Sequence, residues 1–111
     1  MTTITLVCGS DGALRSCRAE GHAGFAAKGY DIVCAAVTIL MRTALQTLSE
    51  TEGVVIHTDA TERGVISFEV VQAAEEKTER LVCMAELLEH GFCSLQSEYP
   101  QFVELQKQIG T

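Results

Sequence analysis

Apolar and polar positions alternate in two short runs near the start of the chain, Thr3 to Cys8 and Leu14 to Glu20, on either side of Ser10-Asp11-Gly12. A period of two marks a half-buried strand and Asp-Gly marks a tight turn, so the pattern predicts a β-hairpin. The pattern changes at Ile32. From there to Leu48 the chain is largely apolar and free of Gly and Pro, which predicts a helix, and Asp31 just ahead is a good N-cap residue. Gly53 ends this helix, and Val54 to Thr58 with Val65 to Val71 form a second hairpin around the polar stretch from Asp59 to Gly64. A second helix is predicted from about Ala74 to Gln96, with Leu81, Ala85, Leu88, Phe92 and Leu95 at three- and four-residue steps. Pro100 stops it, and Phe102 to Gln108 is short enough for a final strand, with helix as the alternative. The predicted fold class is α+β, with two long helices packed on a β-sheet in the order ββαββαβ, as a single domain over residues 1–111.

The two helices differ in how they must be covered. On the second, Glu75, Glu76, Glu79, Glu86 and Glu89 lie on or beside the face opposite the apolar one, which describes a solvated surface. The first is apolar nearly all round. Val33, Ala36, Val37, Leu40, Ala44 and Leu48 share one side, while Ile32, Ala35, Ile39 and Met41 lie on others. One sheet cannot cover all of it, so a second apolar partner is expected, either the other helix or a second copy of the chain. Homodimerisation is the expectation.

Composition narrows the classes. The chain has 111 residues, enough for one core with little room for insertions. With four Phe, two Tyr and no Trp, that core is aliphatic. A net charge of −7 argues against direct nucleic-acid binding and suits either plain solubility or a positively charged polypeptide partner. The N-terminus lacks a basic start and reaches Gly9-Ser10-Asp11-Gly12 before an apolar stretch of signal length forms, so a cytoplasmic location is expected. The longest apolar stretch, Ile32 to Met41, falls short of the roughly 20 residues that span a bilayer, and no membrane role is expected. The five cysteines, Cys8, Cys17, Cys34, Cys83 and Cys93, are odd in number and lack CxxC spacing. They fit neither a disulfide framework nor a zinc knuckle, and no metal or organic cofactor is implied.

One cysteine stands apart by position. Cys34 falls in the predicted first turn of the first helix, where unsatisfied N–H groups and the positive end of the helix dipole favour a thiolate. Ahead of it a glycine-bracketed loop carries His22, and if residues 23 to 30 fold back, His22 reaches Cys34 as the base or ion-pair partner that a cysteine nucleophile needs. Backbone N–H groups at the helix start, such as those of Cys34 and Ala35, are candidates to hold an oxyanion. Gly21, Gly24 and Gly29 are turn formers on the plain reading, and their clustering also suits a flap over the site, with Phe25 and Tyr30 lining a substrate groove. Asp31 has two readings that stay open, a helix cap or a third member orienting the imidazole of His22. Cys8, Cys17, Cys83 and Cys93 read as small hydrophobes on strands or on the second helix, and His57 and His90 as surface or strand histidines.

The residues Gly21-His22-Ala23, Gly29, Asp31-Ile32-Val33-Cys34-Ala35-Ala36 and the late Glu98-Tyr99-Pro100, in this order and at this length, resemble the ribosomal-processing cysteine proteases of bacteria. The resemblance covers essentially the whole chain. It implies a cysteine endopeptidase with a Cys34–His22 pair, acting on the N-terminal extension of large-subunit ribosomal protein twenty-seven and cleaving after bulky apolar residues. The loop interior, Gly24 to Lys28, lacks the polar residues expected in many relatives, which bears on how the loop meets substrate. Two other classes compete with this one. One is a non-catalytic ribosome-assembly binding module; the other is a thiol redox sensor pairing Cys34 with Cys8 or Cys17.

Overall fold

The first alternating run forms strand β1 (Thr2–Cys8), in which Thr2, Ile4, Leu6 and Cys8 are buried and the residues between them are half-buried. The computed structural model describes residues 1–21, 30–59 and 64–110, with Tyr30 and Asp31 described in their backbone alone. Strand β2 (Leu14–Glu20) pairs antiparallel with β1 in a register that sets Leu6 opposite Cys17 and Ile4 opposite Ala19. The turn between them closes through Gly9 N–H to the Ala13 carbonyl at 2.8 Å and Ala13 N–H to the Asp11 carboxylate at 2.9 Å. Gly12 takes φ of 86°, a left-handed conformation that glycine adopts without steric cost.

Helix α1 (Tyr30–Ser49), β3 (Val54–Asp59), β4 (Val65–Ala73), helix α2 (Thr78–Glu98) and β5 (Val103–Ile109) follow. The element order is the one read from the sequence. The tail is a strand, so the helical alternative for it falls. A short 3-10 turn over Glu75–Lys77 precedes α2, which therefore starts a few residues later than its apolar spacing suggests. The five strands make one sheet in the order β3-β4-β2-β1-β5, antiparallel except for the β1–β5 pair. Chain order explains the one parallel pair: α2 leaves the far end of β4 and carries the chain over the sheet to β5, as parallel neighbours require.

Both helices lie on the same face. The inward residues Ile4, Leu6, Cys17 and Phe68 meet Val33, Val37, Met41, Ala44 and Leu48 from α1 and Leu81, Ala85, Leu88 and Phe92 from α2. Phe92 and Leu88 are among the largest fully buried side chains, and burying each contributes about 1.5–3 kcal/mol. On the opposite sheet face Arg18, Glu20 and Glu69 are exposed, with Arg18 across from Ser67, Glu20 from Val65 and Glu69 from Ser16 on β2 and β4.

The packing of α1 differs from its expected face at three residues. Met41 is fully buried with Val33, Val37, Ala44 and Leu48, while Ala36 and Leu40 sit at the margin. The buried stripe is rotated slightly from the one read in the sequence, and Leu40 is turned towards α2. Ile32 and Ile39 remain 61% exposed. Counted over the helix rather than over the shorter apolar run, Ile32–Ser49 has a mean hydropathy of 1.5 and is long and apolar enough to cross a membrane by length and composition. Five residues of the same stretch form the seam with the sheet, which gives a core helix that composition too.

Candidate active site

Helix α1 sets Cys34 where it is both fixed and reachable. Its neighbour Val33 and the next-turn residue Val37 are buried in the core, so the backbone at residue 34 is anchored, yet Cys34 itself is half-buried. The other cysteines divide cleanly. Cys8 and Cys17 are buried under the helices, and Cys83 and Cys93 are exposed on α2. Burial raises the thiol of Cys8, an effect that the ammonium of Lys107 partly offsets, and burial pushes the thiol of Cys17 up to about 12. Neither is a thiolate near neutral pH, so neither suits the role of a resolving partner.

The start of α1 corrects two sequence expectations. The helix begins at Tyr30, so Asp31 is its second residue rather than the residue just before it. Neither Tyr nor Asp resists helical dihedrals, and an acidic residue in the first turn is favoured by the dipole even without capping. Cys34 is then the fifth residue rather than a member of the first turn. In the α pattern its N–H pairs with the carbonyl of Tyr30, and that of Ala35 with the carbonyl of Asp31. Among the described residues, the N–H groups with no partner inside the helix are those of Tyr30, Asp31 and Ile32.

Gly21 is the last described residue before the loop, and its N–H donates to the carbonyl of Gly64 at 3.0 Å. That bond pins the end of β2 to the entry of β4, beside which Gly64 takes φ of 81°. The chain therefore leaves β2 from a fixed point on the sheet and enters α1 at Tyr30, with Val33 as the first α1 residue held in the core. His22, Gly24, Phe25 and Gly29 lie outside the described residues. Of the predicted set the structure places Gly21, Cys34 and Ala35 in full and Tyr30 and Asp31 by backbone. Sequence reasoning missed the Gly21–Gly64 tie, for which the one signal was a glycine closing a polar turn.

Among the described residues no group of three His, Cys, Asp or Glu side chains is arranged to hold a metal ion. A cleft of about 500 Å³ lies at the C-terminal end of α2, lined by Met1, Cys93, Gln96, Ser97, Pro100, Val103 and Glu104. It does not include Cys34.

Residues 1–104 match the family model described as cysteine protease Prp. The chain is similar to the ribosomal processing cysteine protease Prp of Mycoplasma pneumoniae, with 38% identity over 90 residues, which is 81% of this chain and 84% of that protein. Among solved structures, a Streptococcus mutans protein superposes with a TM-score of 0.80 at 25% identity, covering 99% of both chains. The essential ribosomal processing protease Prp of S. aureus, solved with a substrate peptide, superposes with a TM-score of 0.80 at 14% identity over 96% of this chain and 99% of that one. At that identity the second structure speaks for the fold.

Proposed function

The chain belongs to the Prp family of cysteine proteases, and on that premise we propose that it removes the N-terminal extension of large-subunit ribosomal protein twenty-seven, with Cys34 as nucleophile and His22 as its base. The observation that carries the residue assignment is the position of Cys34. Of the five cysteines it is the one on the helix that follows the glycine-bracketed loop, half-buried and anchored from below. The relative from Mycoplasma pneumoniae is named for ribosomal processing, and the S. aureus protein of the same fold was solved both with a substrate peptide and with a covalently linked product peptide. A covalent product suits a thiol nucleophile.

The chemistry follows from these groups. His22 takes the proton of Cys34, and the thiolate sulfur attacks the scissile carbonyl to form a tetrahedral oxyanion. The open N–H groups at the start of α1 are suited to stabilise that charge. His22 then gives its proton to the leaving amine, the C–N bond breaks, and a thioester remains. Water, deprotonated by His22, attacks the thioester and returns the thiol. Asp31 serves either by favouring the helix start electrostatically or by orienting the imidazole. Gly21, Gly24, Phe25, Gly29 and Tyr30 form a flap whose apolar side chains suit a bulky apolar residue before the cut.

A net charge of −7 supports a basic ribosomal protein as substrate, since opposite charge raises the encounter rate at low salt. The protein works in the cytoplasm as a homodimer, joined through the exposed side of α1. The test is incubation of wild type and Cys34→Ala with the extended ribosomal protein from the same organism, followed by intact mass. One cut near the N-terminus, made by the wild type alone, is expected. Cleavage by the Cys34→Ala protein would sink the assignment, and binding by both without cleavage would favour an assembly module.

A further inference from the structure

Gly91 is the one glycine inside α2, and it faces Leu40 of α1. A Cβ at Gly91 would stand 3.0 Å from Cδ1, 3.2 Å from Cδ2 and 3.7 Å from Cγ of Leu40. Both methyl groups of Leu40 thus lie against the bare backbone of α2, and the side chain is also packed on the core. A methyl group at residue 91 would require the Leu40 side chain, or α1 with it, to give by a few tenths of an ångström. Glycine in a helix interior costs stability relative to alanine, so its presence at the contact has to be offset by what the close approach provides.

The same two helices are joined a second time near the end of α1. Arg80 donates from Nε to the Thr51 hydroxyl at 3.1 Å, and that hydroxyl donates to the Thr47 carbonyl at 2.7 Å. With its far end held there, a displacement of α1 at Leu40 is passed along the helix towards Cys34, and the buried Val33 and Val37 keep it small. The two residues are six apart, a rise of about 9 Å along the helix axis.

The geometry points to Gly91 as a positioning residue for the proteolytic reaction, acting through Leu40 to set the depth at which α1 seats on α2 and so the place of the Cys34 sulfur. This rests on the reading of Cys34 as nucleophile. Displacing a reacting atom by about 1 Å is enough to cost a hundredfold in rate, so a shift of tenths of an ångström has a measurable effect.

The test compares wild type, Gly91→Ala, Leu40→Ala and the double variant by three readouts. These are kcat and KM on the extended ribosomal protein, the pH profile of Cys34 alkylation by iodoacetamide located by peptide mass, and thermal melting. Gly91→Ala is expected to melt no lower than wild type while kcat falls about tenfold with KM within twofold, and its alkylation profile moves. Adding Leu40→Ala removes the clash and is expected to return kcat and profile to those of Leu40→Ala alone. A Gly91→Ala protein with wild-type kcat and profile overturns the proposal, as does a loss that the double variant does not relieve. A Gly91→Ala chain that no longer folds overturns it too, since the strain would then fall on the whole core. If no variant, wild type included, cleaves the ribosomal protein but the alkylation profile shifts and recovers as stated, the positioning role stands and the protease reading fails.

Discussion

Thr51 accepts a hydrogen bond from Arg80 Nε at 3.1 Å while giving its own hydroxyl proton to the carbonyl of Thr47 at 2.7 Å. The last turn of α1 contains no basic residue, so this arginine from α2 supplies the cation that the negative end of the helix favours. Thr51 is 7% exposed, which leaves little water to replace either bond. Thr51→Val keeps the shape and removes both bonds, and a loss of about 1–2 kcal/mol is expected. Urea unfolding checks it: the midpoint falls and the slope stays unchanged. An unchanged midpoint would mean that the pair adds nothing to stability.

Cys17 makes folding sensitive to alkali. Burial pushes its thiol from 9.0 to about 12 in the folded chain. Between those values the unfolded chain has lost a proton that the folded chain keeps, so stability falls as pH rises through the window and is complete below about 9. The full shift corresponds to a loss on the order of 4 kcal/mol by the upper end. Melting temperature measured from pH 8 to 10.5 is expected to fall steeply for wild type and less steeply for Cys17→Ala, whatever its starting value. Lys107, which its hydrogen bond to Glu89 raises, is present in both proteins, so its titration cancels from the comparison. Parallel slopes in the two proteins would assign the alkaline loss elsewhere.

The cysteines are expected to separate by reactivity. With excess iodoacetamide at neutral pH, Cys34, Cys83 and Cys93 are labelled in the native protein, and Cys8 and Cys17 only after unfolding. Mild oxidation followed by nonreducing mass analysis probes the same separation from the other side. A reversible bond between Cys34 and Cys8 or Cys17 would revive the redox reading, since both Cys8 and Cys17 are buried free thiols in the fold described. Truncating Cys34 to Ala leaves the melting temperature close to wild type, because a half-buried thiol holds little of the core.

The order of elements was legible because the chain changes period where the fold changes: two in Thr3 to Cys8, three to four in Leu81 to Phe92. The turn at Gly12 was legible for a local reason, since Asp11 and Gly12 satisfy the hairpin by themselves. Less visible was anything that depends on distant partners. Met41 looked peripheral on α1 because all sides of that helix are apolar, and only the sheet beneath selects the side that is buried. The start of α1 was misplaced by a residue or two because Asp31 suits a cap and a first turn almost equally. That small difference bears on the chemistry, for it makes Cys34 the fifth residue of the helix rather than a member of its first turn. Gly91 was hidden for the opposite reason: a single glycine in a helical pattern reads as a defect until its neighbour Leu40 is known.

The outer side of α1 yields the last prediction. Ile32 and Ile39 are two turns apart on one face, each 61% exposed, and none of the described residues covers them. A second copy docking there buries four isoleucines, and each contributes up to about 1.5–3 kcal/mol when fully buried. Charge works against this association, because each copy carries −7. Salt screens that repulsion, so the dimer is expected to tighten as ionic strength rises, opposite to the salt effect on the encounter with a basic substrate. Sedimentation at micromolar concentration should show a dimer for wild type and a monomer for Ile32→Glu combined with Ile39→Glu, with melting of the monomer little changed. A wild type that sediments as a monomer at every salt concentration removes the dimer, and leaves the two isoleucines as isolated surface residues of a kind that folded proteins tolerate.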